Sequence, residues 1–275
     1  MLQNIESLEK MQRQVGKFIL KACRHTANEA ILGDLGWNTM SSRLNIMKLK
    51  YYKRLCDMNN SRWTKRIFNQ LITINDEVEQ NQKKLCWNWT KYTSDIMANL
   101  NISDIQTLTD KNIKQIVCDK DENVWRENIT KKSTLAHYQK FKTKLQCEEY
   151  LMSSINDFSG AQLKFKARSY TLGLQYEKRK WENDDSDCIC PCCGLEDETL
   201  EHFLFKCNFY SSERQKLMKE TEELLLNSKE LNLYKDFKDR KELFCFFLGD
   251  SIKNYKMKLF KEIDNLFKTI LMLRS

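Results

Sequence analysis

Residues that interrupt regular structure are scarce in this chain, which has one proline and seven glycines among 275 residues. Proline removes a backbone hydrogen-bond donor, and glycine favours turns, so both mark breaks between elements. A fold built from β-strands needs a turn after every few residues. The scarcity of proline and glycine therefore predicts an all-α fold, a helical bundle whose long helices meet few interruptions.

Long apolar runs are also missing, and no stretch is apolar enough to span a bilayer. The first seven residues, Met1-Leu-Gln-Asn-Ile-Glu-Ser7, are too polar for a secretory signal peptide. The eleven cysteines would then stay reduced inside a cell, where clustered thiols bind metals. We therefore expect an intracellular protein, of nucleus or cytoplasm, with no membrane partner.

Positive charge is concentrated near the N-terminal end. Residues 10–66 hold thirteen Lys and Arg against three acids, an excess of ten, whereas the whole chain is +8. Such a surface attracts the phosphates of RNA or DNA, although a solvated lysine face is an equally open interpretation. The residues predicted to contact nucleic acid are Arg43, Lys50, Lys53, Arg54, Lys164, Lys166, Arg168, Lys178, Arg179 and Lys180.

Apolar residues recur at spacings of three and four, which predicts amphipathic helices with one face in the core. The predicted core positions are Leu8, Met11, Val15, Phe18, Ile19 and Ala22 in a first helix, Leu44, Met47, Tyr51, Leu55 and Met58 in another, and Trp63, Ile67, Leu71 and Ile74 in a third. Thr26-Ala-Asn-Glu29 has the pattern of a capping box and predicts a short helix, which Gly36 ends.

Five of the eleven cysteines, one histidine and the only proline fall within residues 188–207. The spacing Cys190-x2-Cys193-x8-His202-x4-Cys207 is typical of a four-ligand zinc site. Two thiolates separated by two residues on a tight turn can both reach one tetrahedral ion at about 2.3 Å. The sequence therefore predicts Zn²⁺ as a cofactor, and ordinary buried cysteines beside a histidine are the alternative.

Local residue types support this site. Pro191 and Gly194 favour the tight turn between the first two ligands. His202 is predicted to lie on a short helix that loosens or ends before Cys207.

Two spare thiols, Cys188 and Cys192, lie within reach of the same ion and stay open as replacement ligands. Pairing Cys190 with Cys192 leaves one intervening residue, so the two thiolates could coordinate one metal ion only with strain. Cys190 with Cys193 is the better pair.

Two motifs follow one another here: Cys190-Pro-Cys-Cys-Gly194, and, after an acidic spacer, Glu198-Thr-Leu-Glu-His-Phe-Leu-Phe-Lys-Cys207. Together they resemble the zinc-binding module at the C-terminal end of non-LTR retrotransposon reverse transcriptases. Supporting similarities to the thumb-side helices, the basic segment and the end of that family's tail lie at residues 8–13, 26–32, 35–37, 43–44, 165–170 and 246–249.

The resemblance implies zinc on Cys190, Cys193, His202 and Cys207, and a role in handling template RNA and target DNA during reverse transcription. The family's fingers, palm and polymerase aspartates are missing, and Leu172-Gly-Leu-Gln175 stands where relatives carry a proline-containing turn. We therefore expect a detached tail, from a degenerate element, a fragment or a co-opted gene, with a polymerase module as a possible protein partner.

The cap-rich stretch at residues 101–110 suggests a boundary, and the segments follow from it and from the resemblance. They are a basic, thumb-like helical region at 1–100, a helical connector at 101–180, the zinc-binding module at 181–230, inserted near the C-terminus, and a C-terminal helix at 231–275.

Catalytic motifs are missing from the sequence. A nuclease of the kind that some of these elements append needs a Pro-Asp pair to hold Mg²⁺, and the only proline, Pro191, stands between cysteines. There is no glycine-rich phosphate loop and no Ser/His/Asp or Cys/His set. A Cys3His set also leaves no open position for a reacting water. We predict a protein that is not an enzyme and has no small-molecule substrate.

Two functions remain: nucleic-acid binding through the basic helices, or a protein-interaction or structural zinc scaffold. Residues 181–201 contain eight acids and no base, so the surface of the zinc module should repel phosphate. We expect the zinc module to act as a structural clip, and nucleic acid to meet the flanking basic helices.

Overall fold

The computed structural model describes residues 2–80, 88–153, 158–182, 187–227, 246–249 and 267–273. Across these ranges the regular structure is helical, and β pairing is limited to an isolated antiparallel bridge between Ile189 and Asp197. The prediction of an all-α fold is confirmed. No helix in the described part of the chain is both long enough and apolar enough to cross a membrane.

The α-helices follow the predicted spacing of apolar residues. They are α1 (Leu2–Ile19), α2 (Asn28–Leu35), α3 (Met40–Cys56), α4 (Trp63–Gln80), α5 (Trp89–Asn99), α6 (Asp110–Thr130), α7 (Tyr138–Phe141), α8 (Glu149–Ser153), α9 (Phe158–Arg168), α10 (Gln175–Glu182) and α11 (Ser211–Asn227). Two 3-10 turns, Ser133–Leu135 and Asn208–Tyr210, and a π-helical turn, His202–Lys206, complete the named elements, and residues 246–248 and 267–272 are also helical.

The chain divides into two compact units, each made of segments that are distant in sequence. The first contains Met1–Lys10 and Asn38–Trp125, and the second contains Met11–Trp37 and Arg126–Ser275. The linear segments predicted above do not anticipate this interleaving. The predicted C-terminal helix at 231–275 lies largely outside the described residues.

An aromatic cluster forms the core of the first unit. The Tyr52 ring centroid lies 5.0 Å from that of Phe68 and 6.1 Å from that of Trp89, so α3, α4 and α5 meet at this point. Burying one such side chain contributes about 1.5–3 kcal/mol. The remaining buried members are Leu49, Leu55, Ile96, Ile105, Ile113 and Val117.

The faces that α3 and α4 bury are displaced by about one residue from the predicted ones. Tyr52 and Phe68 are buried, whereas their neighbours Tyr51 and Ile67 are 47% and 56% exposed. The helical period was right, but the large rings of the aromatic cluster decide which face turns inward. Met47, Trp63 and Ile74 are exposed as well, and Leu55 is buried as predicted.

The apolar stripe of α1 is also exposed, contrary to prediction. Met11, Val15 and Phe18 are 60%, 46% and 84% exposed. A Cβ added at Gly16 would lie only 2.5 Å from the Ile31 side chain. Helix α1 therefore packs through its smallest residue, because close approach to α2 is possible only on that face.

Glycine ends α2 as predicted. Gly36 has φ of +63°, and a Cβ there would lie 2.1 Å from the backbone nitrogen of Cys147, so both conformation and space require glycine. The predicted capping box is wrong. Ala27 occupies the N-cap position without a side-chain cap, and the Thr26 hydroxyl lies 3.5 Å from that of Thr171 instead.

A buried ion pair lies in the core of the second unit. Arg168 and Asp34 are both fully buried, with Nε to Oδ2 at 2.9 Å and NH2 to Oδ1 at 3.1 Å. The hydroxyls of Tyr138 and Tyr150 each donate to the same carboxylate at 2.6 Å. Burial raises the pKa of both tyrosines well above its usual value, so they remain hydrogen-bond donors.

Further groups complete this network. Arg168 also pairs with Glu148 at 3.3 Å and donates to the Leu248 carbonyl, and Glu148 pairs with Lys142. The Arg168 guanidinium lies 4.8 Å from the Phe141 ring centroid. Each buried charge therefore faces an opposite charge, as burial in a low-dielectric core requires.

This network corrects two predicted nucleic-acid contacts. Arg168 has no exposed surface. Its guanidinium forms ion pairs with Asp34 and Glu148 and donates a hydrogen bond to a backbone carbonyl. Lys164 is 1% exposed, with its ammonium 5.2 Å from the Tyr150 ring centroid. The prediction is wrong for these two residues because α9 is a core helix whose cations serve buried partners.

Candidate functional site

A tight hairpin carries the first two cysteines of the predicted metal site. The backbone N–H of Gly194 donates to the Cys190 carbonyl at 2.8 Å, and Cys190 N–H donates to the Glu196 carbonyl at 2.8 Å. Gly194 has φ of +67°, the left-handed conformation that glycine adopts without strain. The bridge between Ile189 and Asp197 closes the hairpin behind the turn.

A π-helical turn carries the other two predicted ligands. The turn runs over His202–Lys206, and Cys207 N–H donates to the His202 carbonyl at 2.8 Å. A π-turn holds one residue more than an α-turn, so residues i and i+5 come to the same side. The Thr199 hydroxyl accepts from His202 N–H at 3.0 Å and fixes the start of the turn. The prediction that the helix loosens before Cys207 is confirmed.

The two elements bring the four side chains together. Cys190 Sγ lies 3.9 Å from Cys207 Sγ, Cys193 Sγ lies 3.3 Å from His202 Nε2, and all four donor atoms lie within 4.8 Å of one another. A tetrahedral ion with bonds of ~2.3 Å to sulfur separates two sulfur ligands by about 3.8 Å. The donor spacing fits that geometry, and the four residues could hold a metal ion.

The two hairpin thiols differ in acidity when the protein groups act alone. Burial raises the pKa of the Cys190 thiol to about 12. The backbone N–H of Leu195 is the largest influence on Cys193 and lowers its pKa to about 7. Since thiolates are the metal ligands, Cys193 is the better prepared of the two to bind a cation.

The two spare thiols lie outside the cluster. Cys192 Sγ lies 3.3 Å from the Tyr210 hydroxyl, and buried Cys188 has its sulfur 3.6 Å from an Arg179 guanidinium nitrogen. Neither sulfur belongs to the group of four converging donors. The structure therefore favours the ligand set that contains Cys193.

Supporting groups around the cluster were not found from the sequence. Glu196 Oε2 lies 3.4 Å from His202 Nδ1, an arrangement that orients Nε2 toward the cluster. Arg214 on α11 donates to the carbonyls of Cys207 at 2.8 Å and of Leu204 at 3.4 Å. Glu196 could have been noticed from the sequence, because it lies between the predicted ligands Cys193 and His202. Arg214 could not, because it lies on α11.

The hairpin that carries Cys190 and Cys193 leads into Glu198, which contacts the start of α10. Gln175 N–H donates to Glu198 Oε2 at 2.8 Å, and Glu177 Oε2 accepts from the backbone of Gly173 at 2.8 Å and of Leu174 at 3.3 Å. Two buried carboxylates thus satisfy backbone N–H groups at the start of α10 and just before it, where no intrahelical carbonyl is available.

Glu177 predicts a measurable pH dependence of stability. Burial raises the pKa of its carboxyl to about 7, compared with about 4.3 in an unfolded chain. The folded state therefore binds the proton more tightly, so this contribution is full below pH ~4.3 and is lost as pH rises through 7, on the order of 3–4 kcal/mol. Glu177→Gln keeps an oxygen acceptor but cannot ionise, and we expect it to be more stable than the wild type at pH 8.

Urea unfolding of both proteins at pH 5 and pH 8 checks this expectation. Metal release and all other titrating groups are common to both, so the difference between their free energies isolates Glu177. A difference that is unchanged between the two pH values would contradict the proposed ionisation.

A basic groove of about 730 Å³ lies along the exposed face of α3. Its charged lining consists of Lys50, Lys53, Arg54 and Arg62 against Asp57 and Asp110, an excess of two positive charges. Lys50 pairs with Asp110 at 3.3 Å, and Lys53 pairs with Asp57 at 2.9 Å. Within the described chain, no carboxylate forms an ion pair with Arg54 or Arg62, so these two provide the excess.

The other predicted contacts are distributed over both units. Arg43 is exposed on α3 in the first unit. Lys166 is half-buried on α9, and Lys178, Arg179 and Lys180 are exposed on α10, all in the second unit. Of the groove residues, Arg62 was not among the predicted contacts, because nothing in its local spacing distinguishes it from other basic residues.

Comparison with protein-family models, with curated proteins and with solved structures found no match to this chain. A function for this chain is therefore inferred from the geometry of the Cys-His cluster and from the charge of the α3 groove.

Proposed function

We propose that this protein is a non-catalytic nucleic-acid-binding module, a tail of the kind found in non-LTR retrotransposon reverse transcriptases, with one structural zinc ion. The observation that carries the proposal is the α3 groove, in which Arg54 and Arg62 stand without a carboxylate partner in the described chain. Phosphates would neutralise these arginines and release counterions, which drives binding. The convergence of the four residues named by the resemblance supports the link to that family.

Zinc is the metal that suits the Cys-His cluster best. Three thiolates and an imidazole are soft and borderline donors, and tetrahedral sets of this kind select zinc. With four protein ligands the ion has no open position for a reacting water, so its role is to tie the hairpin to the π-turn. We therefore assign it a structural role.

The acidic surface near the Cys-His cluster makes the α3 groove the better site for nucleic acid. Glu196, Asp197 and Glu201 are exposed around the cluster. Their charge repels a phosphate backbone, whereas the groove has the opposite sign. Nucleic acid should therefore contact α3 and not the metal module.

Paired arginine substitutions test the proposal. We expect Arg54→Ala/Arg62→Ala to weaken RNA or DNA binding at least tenfold, and to reduce the slope of log affinity against log salt by about two, roughly one per lost phosphate contact. Fluorescence anisotropy with a labelled oligonucleotide, over roughly 50 to 200 mM salt, measures both quantities.

A matched control is Lys216→Ala/Lys219→Ala on α11. These lysines are 76% and 77% exposed, and each lies near a glutamate one turn away. The control removes the same charge but should leave affinity and salt slope nearly unchanged. Equal losses in the two double variants would mean that overall charge, and not the groove, governs binding.

A protein-interaction scaffold is the second candidate, and the apolar stripe of α1 favours it. Met11, Val15 and Phe18 are exposed together on one helix face, a feature typical of protein contacts. A polymerase module supplied in trans would be the partner. Absence of nucleic-acid binding near physiological salt would favour this function over the first.

A further inference from the structure

We propose that the α3 groove selects single-stranded over double-stranded nucleic acid, with Trp63 and Tyr51 as stacking platforms for bases. The inference deepens the proposed function and rests on it. Arg54 and Arg62 would hold the phosphates, and the two aromatic rings would hold bases next to them.

Trp63 is unusually exposed for its size. It begins α4, directly after the groove residue Arg62, and is 76% exposed. The Arg66 guanidinium carbon lies 5.4 Å from its ring centroid, and Arg66 Nε donates to the Asn60 carbonyl at 3.3 Å. One face of the indole is thus backed by a fixed cation, and a base can stack on the other face.

Tyr51 provides the second ring. It lines the groove and is 47% exposed. Its centroid lies 5.7 Å from that of Trp89, which belongs to the aromatic cluster of the first unit. The ring is therefore supported from below by the core, while its outer surface remains accessible.

The turn between α3 and α4 holds these groups in place. Ser61 N–H donates to Asn59 Oδ1 at 2.9 Å, and Arg62 N–H donates to the Asn59 carbonyl at 3.1 Å. Lys65 Nζ donates to the Cys56 carbonyl at 3.0 Å and links the first turn of α4 to the end of α3. Preordered platforms lose little conformational entropy when they bind a ligand.

Single strands match this surface better than duplexes. In a duplex the base faces are stacked on one another, and only phosphates and groove edges reach the protein. A single strand presents its base faces, and stacking on aromatic side chains adds to phosphate contacts without requiring a particular sequence. An acidic peptide would satisfy the arginines but would leave both rings without a stacking partner.

Three ligands of equal length test the inference by anisotropy: a single strand, an abasic single strand with the same phosphates, and a duplex. Each is used as RNA and as DNA, except the abasic strand, which is DNA. Wild-type protein should bind the single strand about tenfold more tightly than the abasic strand or the duplex. Trp63→Ala should remove most of that difference, and Trp63→Phe should restore part of it.

Ile67→Ala provides the control, because Ile67 is exposed on the same face of α4 but has no ring. It should leave the preference for the single strand intact. Equal affinity for the single strand, the abasic strand and the duplex would overturn the proposal that Trp63 and Tyr51 stack on bases. It would leave the proposed function standing. Failure to bind any of the three would overturn both. Selective binding that Trp63→Ala and Tyr51→Leu leave unchanged would place base recognition elsewhere.

Discussion

Replacing Cys207 by serine is expected to abolish metal binding and to unfold the region around the Cys-His cluster. Cys207 is fully buried and its sulfur lies 3.9 Å from that of Cys190. A serine hydroxyl does not ionise at neutral pH and cannot replace the thiolate. Structural zinc contributes about 10–16 kcal/mol of apparent binding free energy in small domains, and that energy is folding energy.

Metal analysis and limited proteolysis measure this effect. Wild-type protein should contain one zinc per chain and resist cleavage in residues 187–227. Cys207→Ser, and equally Cys193→Ser, should contain little zinc and be cut there. A chelator should reproduce the result with wild-type protein.

Cys192→Ser is the matched control. It makes the same chemical change two residues from Cys190, but its sulfur lies beside the Tyr210 hydroxyl and outside the cluster. Full zinc content is expected. A folded wild-type protein with no bound metal, or loss of zinc in this control alone, would contradict the ligand set.

Asp34→Asn should produce the second large effect, a loss of about 3–5 kcal/mol in the free energy of unfolding. The substitution leaves Arg168 and Lys142, both buried, with Glu148 as their remaining carboxylate in the described network. It also weakens the acceptor of the Tyr138 and Tyr150 hydroxyls. An uncompensated charge in a low-dielectric interior accounts for most of the cost.

Chemical denaturation compares this variant with Glu127→Gln. The Glu127 carboxylate is 69% exposed and lies 3.9 Å from Lys131, so its loss should cost less than about 1 kcal/mol. Similar values for the two variants would show that the buried network contributes no more than a surface pair.

The Cys-His cluster was the most predictable part of the molecule. Its four donor residues lie within eighteen residues, from Cys190 to Cys207, so their approach depends on one hairpin and one helical turn. Spacing alone specified that arrangement, including the loosened helix before Cys207. The carboxylate behind His202 and the arginine that holds the Cys207 carbonyl needed the folded chain.

Helical faces were harder to predict than helices. Apolar spacing located α1, α3 and α4, but it favoured Tyr51 and Ile67 where Tyr52 and Phe68 are buried. Both choices obey the helical period, and the selection is made by rings on neighbouring helices. Gly16 likewise decides which face of α1 is buried. It permits a close approach to Ile31 on α2, which the apolar side chains on the opposite face of α1 do not allow.

The sequence by itself determined the all-α class, through its scarcity of proline and glycine, and the convergence of four residues that could hold a metal ion, through their short spacing. Only the tertiary structure decided which basic residues are available at the surface. Arg168 read as a phosphate contact in its local sequence, but its partner Asp34 lies 134 residues away. The local sequence of residues specifies turns and helices. Whether a charge is buried depends on partners that folding brings from distant parts of the chain.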